Sequence, residues 1–167
     1  MAIIGGGFIP GMFGLGGCIV TDRLPGSRSA GDSFTHEADA YITFTVDAVP
    51  TAGRIEVFVR RQDANNLWKI RIYSSGAFSL EEIVGGALTT RSFAAAGTVS
   101  DGDEIIIELD DESIIAYVGG AVKLNYALAA NFKTETSGEL ERLVTAGEVS
   151  DIVTYQLSTA CRSRLGL

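Results

Sequence analysis

The chain has 167 residues and a formal net charge of −8, a length that suits one domain able to bury roughly 70% of its unfolded surface without metal or disulfide support. Its acids concentrate between Asp101 and Asp151, where twelve stand against three basic residues, and no basic stripe offsets them. That balance repels phosphate backbones and anionic bilayers, which argues against nucleic acid or a membrane as partner.

Residues 1–20 differ from everything that follows. Seven glycines before Cys18 separate Ile3, Ile4, Phe8, Ile9, Met12, Phe13 and Leu15. Glycines and Pro10 rule out a transmembrane helix here. The first positive residue is Arg23, so the charged start of a signal peptide is missing and folding in the cytosol is expected. An arm that carries bulky apolar groups exposes them unless something covers them. It either folds back over its own domain or docks on a neighbouring subunit, and docking is the expectation pursued here. The remaining residues, 21–167, are expected to form the folded domain.

Thr21 to Asp39 is polar and turn-rich and reads as a loop. From Ala40 the pattern changes to short alternating runs. Ile42, Phe44 and Val46 alternate with Tyr41, Thr43 and Thr45. A strand from Arg54 to Arg61 sets Ile55, Val57 and Val59 on one face and Glu56, Phe58 and Arg60 on the other. After the turn Asp63 to Asn66, Trp68, Ile70 and Ile72 point inward, with Lys69, Arg71 and Tyr73 outward. Ala77 to Val84, Ala87 to Phe93, Glu104 to Asp110, Ser113 to Val118 and Ala121 to Tyr126 follow as strands. Two late strands, near Glu139 to Val144 and Glu148 to Leu157, complete the set. Leu128 to Lys133 is a loop or short helical turn, and no amphipathic helix of twelve residues stands out. Strands at this spacing, joined by Gly- and Asn-containing turns, predict an all-β, two-sheet antiparallel sandwich of the jelly-roll type.

The segments VRRQDANNLWKIRIYSSGAFSLEEIVGG and IIIELDDESIIAYVGGAVKL resemble the concanavalin A-like, laminin-G-like jelly-roll superfamily, over about Thr35 to Ser158. The resemblance implies the fold and only a range of functions: sugar-binding modules, adhesion modules, glucanases and structural parts of bacteriophage virions.

Glu108, Asp110 and Glu112 have the E-x-D-x-E spacing that jelly-roll glucanases place on one strand, where period two sends three carboxylates to one face. Yet Asp110 to Ser113 reads as a turn, which splays them, so no catalytic residue is expected. The acidic turns at Asp101, Asp103 and Glu104 lack a calcium-loop pattern, and no metal or cofactor is expected. His36 is the single histidine, so no nucleophilic triad can be assembled from a choice of partners. Cys18 and Cys161 stand near the two ends. They are two free thiols or, since first and last strands of a sandwich often adjoin, a disulfide.

The favoured functional reading is a non-enzymatic virion structural protein of a tailed bacteriophage, such as a capsid decoration, neck or tail-appendage subunit. It would assemble in the bacterial cytoplasm as a homo-oligomer, a trimer by preference, and dock on other virion proteins through the arm. The alternative is a carbohydrate-binding or adhesion module that meets cell-surface glycans through Asp63, Asn65 and Asn66.

Overall fold

Period-two alternation builds two six-stranded antiparallel sheets in a computed structural model that describes residues 17–28, 30–127, 129–143 and 148–167. The strands run in chain order as β1 (Val20–Arg28), β2 (Ser33–Thr35), β3 (Ala40–Ala48), β4 (Arg54–Asp63), β5 (Asn66–Tyr73), β6 (Phe78–Val84), β7 (Ala87–Ala94), β8 (Glu104–Asp110), β9 (Ser113–Val118), β10 (Ala121–Tyr126), β11 (Ser137–Leu143) and β12 (Glu148–Gln156). A helix, α1 (Thr159–Arg164), follows them. The first sheet has the order β1-β12-β3-β8-β9-β10, and the second β2-β11-β4-β5-β6-β7. Two-residue turns join the hairpins where backbone twist demands φ > 0. Gly85 and Gly86 stand at 57° and 83°, and Gly119 and Gly120 at 56° and 77°, as a type I′ turn requires.

Facing sides of the sheets make one core. Ile42, Phe44 and Val46 of β3, Ile105, Ile107 and Leu109 of β8, and Ile114 and Ala116 of β9 meet Ile55, Val57, Val59, Trp68, Ile70, Ile72, Phe78 and Leu80 from the second sheet. All are buried, each large aliphatic stabilising the fold by about 1.5–3 kcal/mol over exposure. Trp68 satisfies its one donor at the Asn131 carbonyl, 2.9 Å away, as a buried indole requires.

Two features depart from the reading of the sequence, and one open alternative is decided. The stretch after Thr21 is not a loop. It holds β1, paired along β12, and β2, paired with β11. Pro25-Gly26 and a half-exposed burial pattern hide β1, because an edge strand needs neither unbroken hydrogen bonding nor an apolar face. The six-residue α1 is shorter than any periodicity window. Finally, Cys18 and Cys161 are joined as a disulfide with Cα atoms 4.6 Å apart. Cys18 therefore belongs to the folded unit. Residues 1–16 of the arm, with Ile3, Ile4, Phe8, Ile9, Met12, Phe13 and Leu15, lie outside the described residues.

Candidate functional site

On the outer face of the second sheet, register brings charged residues of three strands into two adjacent rows. Glu56 pairs with Arg71, Arg71 with Ser79, and Ser79 with Phe93, so one row crosses β4, β5, β6 and β7. The next row reads Phe58, Lys69, Glu81 and Thr90. Neighbouring members stand about 4.8 Å apart, the spacing of strands in a sheet. Local sequence makes this unavoidable: inward Val57, Ile70 and Leu80 force Glu56 and Phe58, Lys69 and Arg71, and Ser79 and Glu81 to the opposite side.

These charges are buried and mutually bonded. Glu56 Oε1 accepts from Arg54 Nε at 2.9 Å, Lys69 Nζ at 3.0 Å and Arg71 Nε at 2.7 Å. Glu81 Oε1 accepts from Arg71 Nη1 at 2.9 Å, Tyr73 Oη at 3.1 Å and Ser79 Oγ at 3.1 Å. Glu81 Oε2 has no hydrogen bond, and its nearest cation, Lys69 Nζ, is 3.6 Å away. Burial opposes the Glu56 charge, but hydrogen bonds from Lys69 and Arg71 outweigh it and hold the carboxyl below its ordinary range. Burial likewise opposes the Arg71 charge, and bonds to Tyr73 and Glu56 outweigh it and hold its pKa above the usual value. The hydrogen bonds thus favour the charged forms of both Glu56 and Arg71.

The rows end at an open edge. Phe93 is 60% exposed and Leu88 50% exposed on β7, while Thr90 is exposed and Tyr73 is half-buried. A fixed array of acceptors and donors beside an exposed ring can hold a polyol: hydroxyls exchange hydrogen bonds with the array, and a C–H face packs on the ring.

Residues singled out in the sequence fall elsewhere. Asp63, Asn65 and Asn66 form the β4–β5 turn at one end of the second sheet. Asp63 Oδ1 accepts from the Asn65 amide at 2.7 Å, and Asn66 Nδ2 donates to Asp63 Oδ2 at 2.9 Å. Asn66 Oδ1 accepts from the Gly85 amide at 3.0 Å. Both ends of the Asn66 amide are therefore engaged within the protein. Glu108 points to the outer face of the first sheet, where Arg162 Nη1 donates at 2.7 Å and Tyr117 Oη at 2.5 Å. Burial and the Glu108 carboxylate push the Tyr117 hydroxyl up to about 12, so it stays a donor. Asp110 ends β8, Asp111 turns at φ 41°, and Glu112 bonds Lys133 at 3.3 Å. The three carboxylates do not converge. Asp101 and Asp103 cap turns through the Val49 and Ser100 amides. His36 is buried and touches Arg60. Nothing in the sequence marks the charged rows, because alternation predicts solvated outward charges and only strand register assembles them.

No protein-family model matches the chain, and no curated protein matches it in sequence. Solved structures do match it in fold. Galectin LEC-6 of Caenorhabditis elegans superposes with a TM-score of 0.59 at 9% identity, over 79% of this chain and 94% of its own. A toad ovary galectin in complex with thio-digalactose gives 0.55 at 12% identity, over 74% of this chain and 100% of its own. A β-fructofuranosidase of Aspergillus kawachii complexed with glycerol gives 0.57 at 8% identity, over 83% of this chain but 27% of that enzyme. At such identities the likeness is one of fold, and the fold is a galectin-like jelly-roll sandwich. None of the three is a virion protein.

Proposed function

We propose that this protein is a carbohydrate-binding module that holds a saccharide against the outer face of the second sheet. The observation that carries the reading is Glu81. It is a buried carboxylate with one oxygen bonded three times and the other without a hydrogen bond, one row from the exposed ring of Phe93. Oε2 is buried beside Lys69 Nζ at 3.6 Å, so Glu81 serves the site by holding the Arg71, Tyr73 and Ser79 donors in fixed positions rather than by meeting the ligand itself. The sandwich of the toad galectin that holds thio-digalactose supports the same reading at the level of fold.

The virion reading rests on residues 3 to 15, outside the described residues, and no described geometry favours it over the glycan reading. A binding role suits the chain better than catalysis, since Glu108 is clamped by Arg162 and Tyr117 rather than paired with a second carboxylate. A disulfide joining the chain's two ends suits an oxidising setting, such as a cell or particle surface.

Calorimetric titration with thio-digalactose, beside a glycan array, tests this. Saturable binding is expected. Phe93→Ala should weaken it about tenfold or more, and Glu81→Gln should weaken it as well. Val122→Ala, at an exposed site on the first sheet, should leave it unchanged. A wild-type protein that retains no glycan, or a Phe93→Ala variant with full affinity, would sink the idea.

A further inference from the structure

The outer face of the first sheet carries an apolar patch that the chain covers with Cys18 and with the segment from α1 to Leu167. Tyr41 of β3, Ile106 of β8, Tyr117 of β9 and Tyr155 of β12 are buried there with Cys18 and Cys161, and Leu165 and Leu167 pack against them. This cluster is separate from the core between the sheets. Its cover is slight. The helix α1 has six residues, well short of the length at which a helix is stable alone. Beyond apolar contact it is held by the Arg162–Glu108 pair at 2.7 Å, a longer bond from Arg162 Nη2 to Tyr117 Oη at 3.4 Å, the Arg164 guanidinium over the Tyr155 ring at 5.8 Å, and the disulfide to Cys18. The Arg162–Glu108 pair joins a partly exposed guanidinium to a buried carboxylate, so water screens it at the Arg162 end only.

We infer that the Cys18–Cys161 disulfide is a redox latch. A dithiol reduces it, and α1 then lifts from the first sheet to display the tyrosine patch while the sandwich stays folded. In the reaction, one thiolate of the reductant attacks a cystine sulfur, forming a mixed disulfide and expelling the other cysteine as thiolate. The second thiolate of the reductant then attacks the reductant sulfur of that mixed disulfide, closing a cyclic disulfide and expelling the remaining cysteine as thiolate. Two electrons and two protons pass to the protein, which ends with two thiols.

The geometry gives this reaction an order. Both cysteines are buried, at 3% and 0% exposure, so attack requires α1 to fray first, as a terminal helix does at low cost. While the disulfide is intact, every opening recloses. Once it is cut, re-docking depends on the Arg162 contacts to Glu108 and Tyr117, on Arg164 over Tyr155 and on leucine contacts at the end of a free tail. Glu108 tolerates the release, because Tyr117 Oη still bonds it at 2.5 Å.

The test uses the full chain, oxidised and after dithiothreitol under native conditions, with alkylation counted by mass and amide hydrogen exchange resolved along the chain. Two alkylated cysteines are expected. The amides of 161–165 should exchange at least about tenfold faster after reduction, while β4, β5 and β8 keep their protection and Trp68 emission holds. The Cys18→Ser/Cys161→Ser double variant should match the reduced protein. Arg162→Ala should leave α1 protected when oxidised and speed its exchange further when reduced. Three results would overturn the latch: cysteines that resist dithiothreitol without denaturant, a reduced α1 as protected as the oxidised one, or core strands that lose protection together with α1.

Discussion

The ring of His36 is engaged at both nitrogens: Nε2 accepts from the Arg60 amide at 3.2 Å, so Nδ1 carries the proton and donates to the Glu37 carbonyl at 2.7 Å. A second proton would break the bond to Arg60 and set a cation beside its guanidinium. That guanidinium is itself buried and, among the described residues, donates to the Ala129 and Ala38 carbonyls at 3.1 and 3.3 Å. Burial lowers the His36 pKa below its ordinary 6.5, and Arg60 adds to this, while hydrogen bonds to the Glu37 and Ser137 backbone and the Glu37 charge oppose it. Above 6.5 the ring is neutral in folded and unfolded chains alike, so its contribution is complete there. As pH falls below 6.5 the unfolded chain takes up the proton first, and stability drops. Urea midpoints should therefore fall between pH 7.5 and pH 5.5, and His36→Gln should flatten that slope; equal slopes would refute the assignment. None of this was legible in the sequence. A lone histidine in a polar run looks like a loop residue, and the turn of Arg60 to φ 47° has no signature in a β-favouring stretch.

Among the elements, the hairpins β4–β5 and β6–β7, already joined by the β5–β6 ladder, are tied at their turns through Asn66. Asn66 closes its own turn through Asp63 and reaches the Gly85 amide of the next hairpin, and the Gly86 amide donates to the Asn65 carbonyl at 3.0 Å. Asn66→Ala should cost about 0.5–1.5 kcal/mol, read as a lower urea midpoint with an unchanged slope, and glycan affinity should survive because the charged rows lie further along the strands. Loss of binding with stability intact would instead place the turn in the ligand site. These hairpins were readable in advance, since turn residues and alternation are local. The rows Glu56–Arg71–Ser79–Phe93 and Phe58–Lys69–Glu81–Thr90 were not, because they join residues 37 positions apart or fewer only through register. Edge strand β1 stayed hidden for the opposite reason: its local chemistry says turn, and pairing with β12 overrides it.

For the molecule as a whole, the disulfide spans 143 residues and restrains nearly the entire unfolded chain. Reduction should lower the free energy of unfolding by about 2–5 kcal/mol, mainly by freeing the unfolded state. Matched urea titrations of oxidised and reduced protein measure this, and coincident curves would show that the bond contributes nothing. The two-layer architecture was clear from strand spacing, whereas the adjacency of Cys18 and Cys161 remained one of two options until β1 was found beside β12.

That adjacency sets an orientation. Cys18 and Leu167 both sit on the outer face of the first sheet, and the row ending at Phe93 lies on the outer face of the second. A support that grips the protein at Cys18 or at Leu167 turns that row away from itself. Copies arrayed on such a support would offer the faces proposed here for saccharides in parallel, and many weak grips would then add up to an avidity set by the spacing between copies.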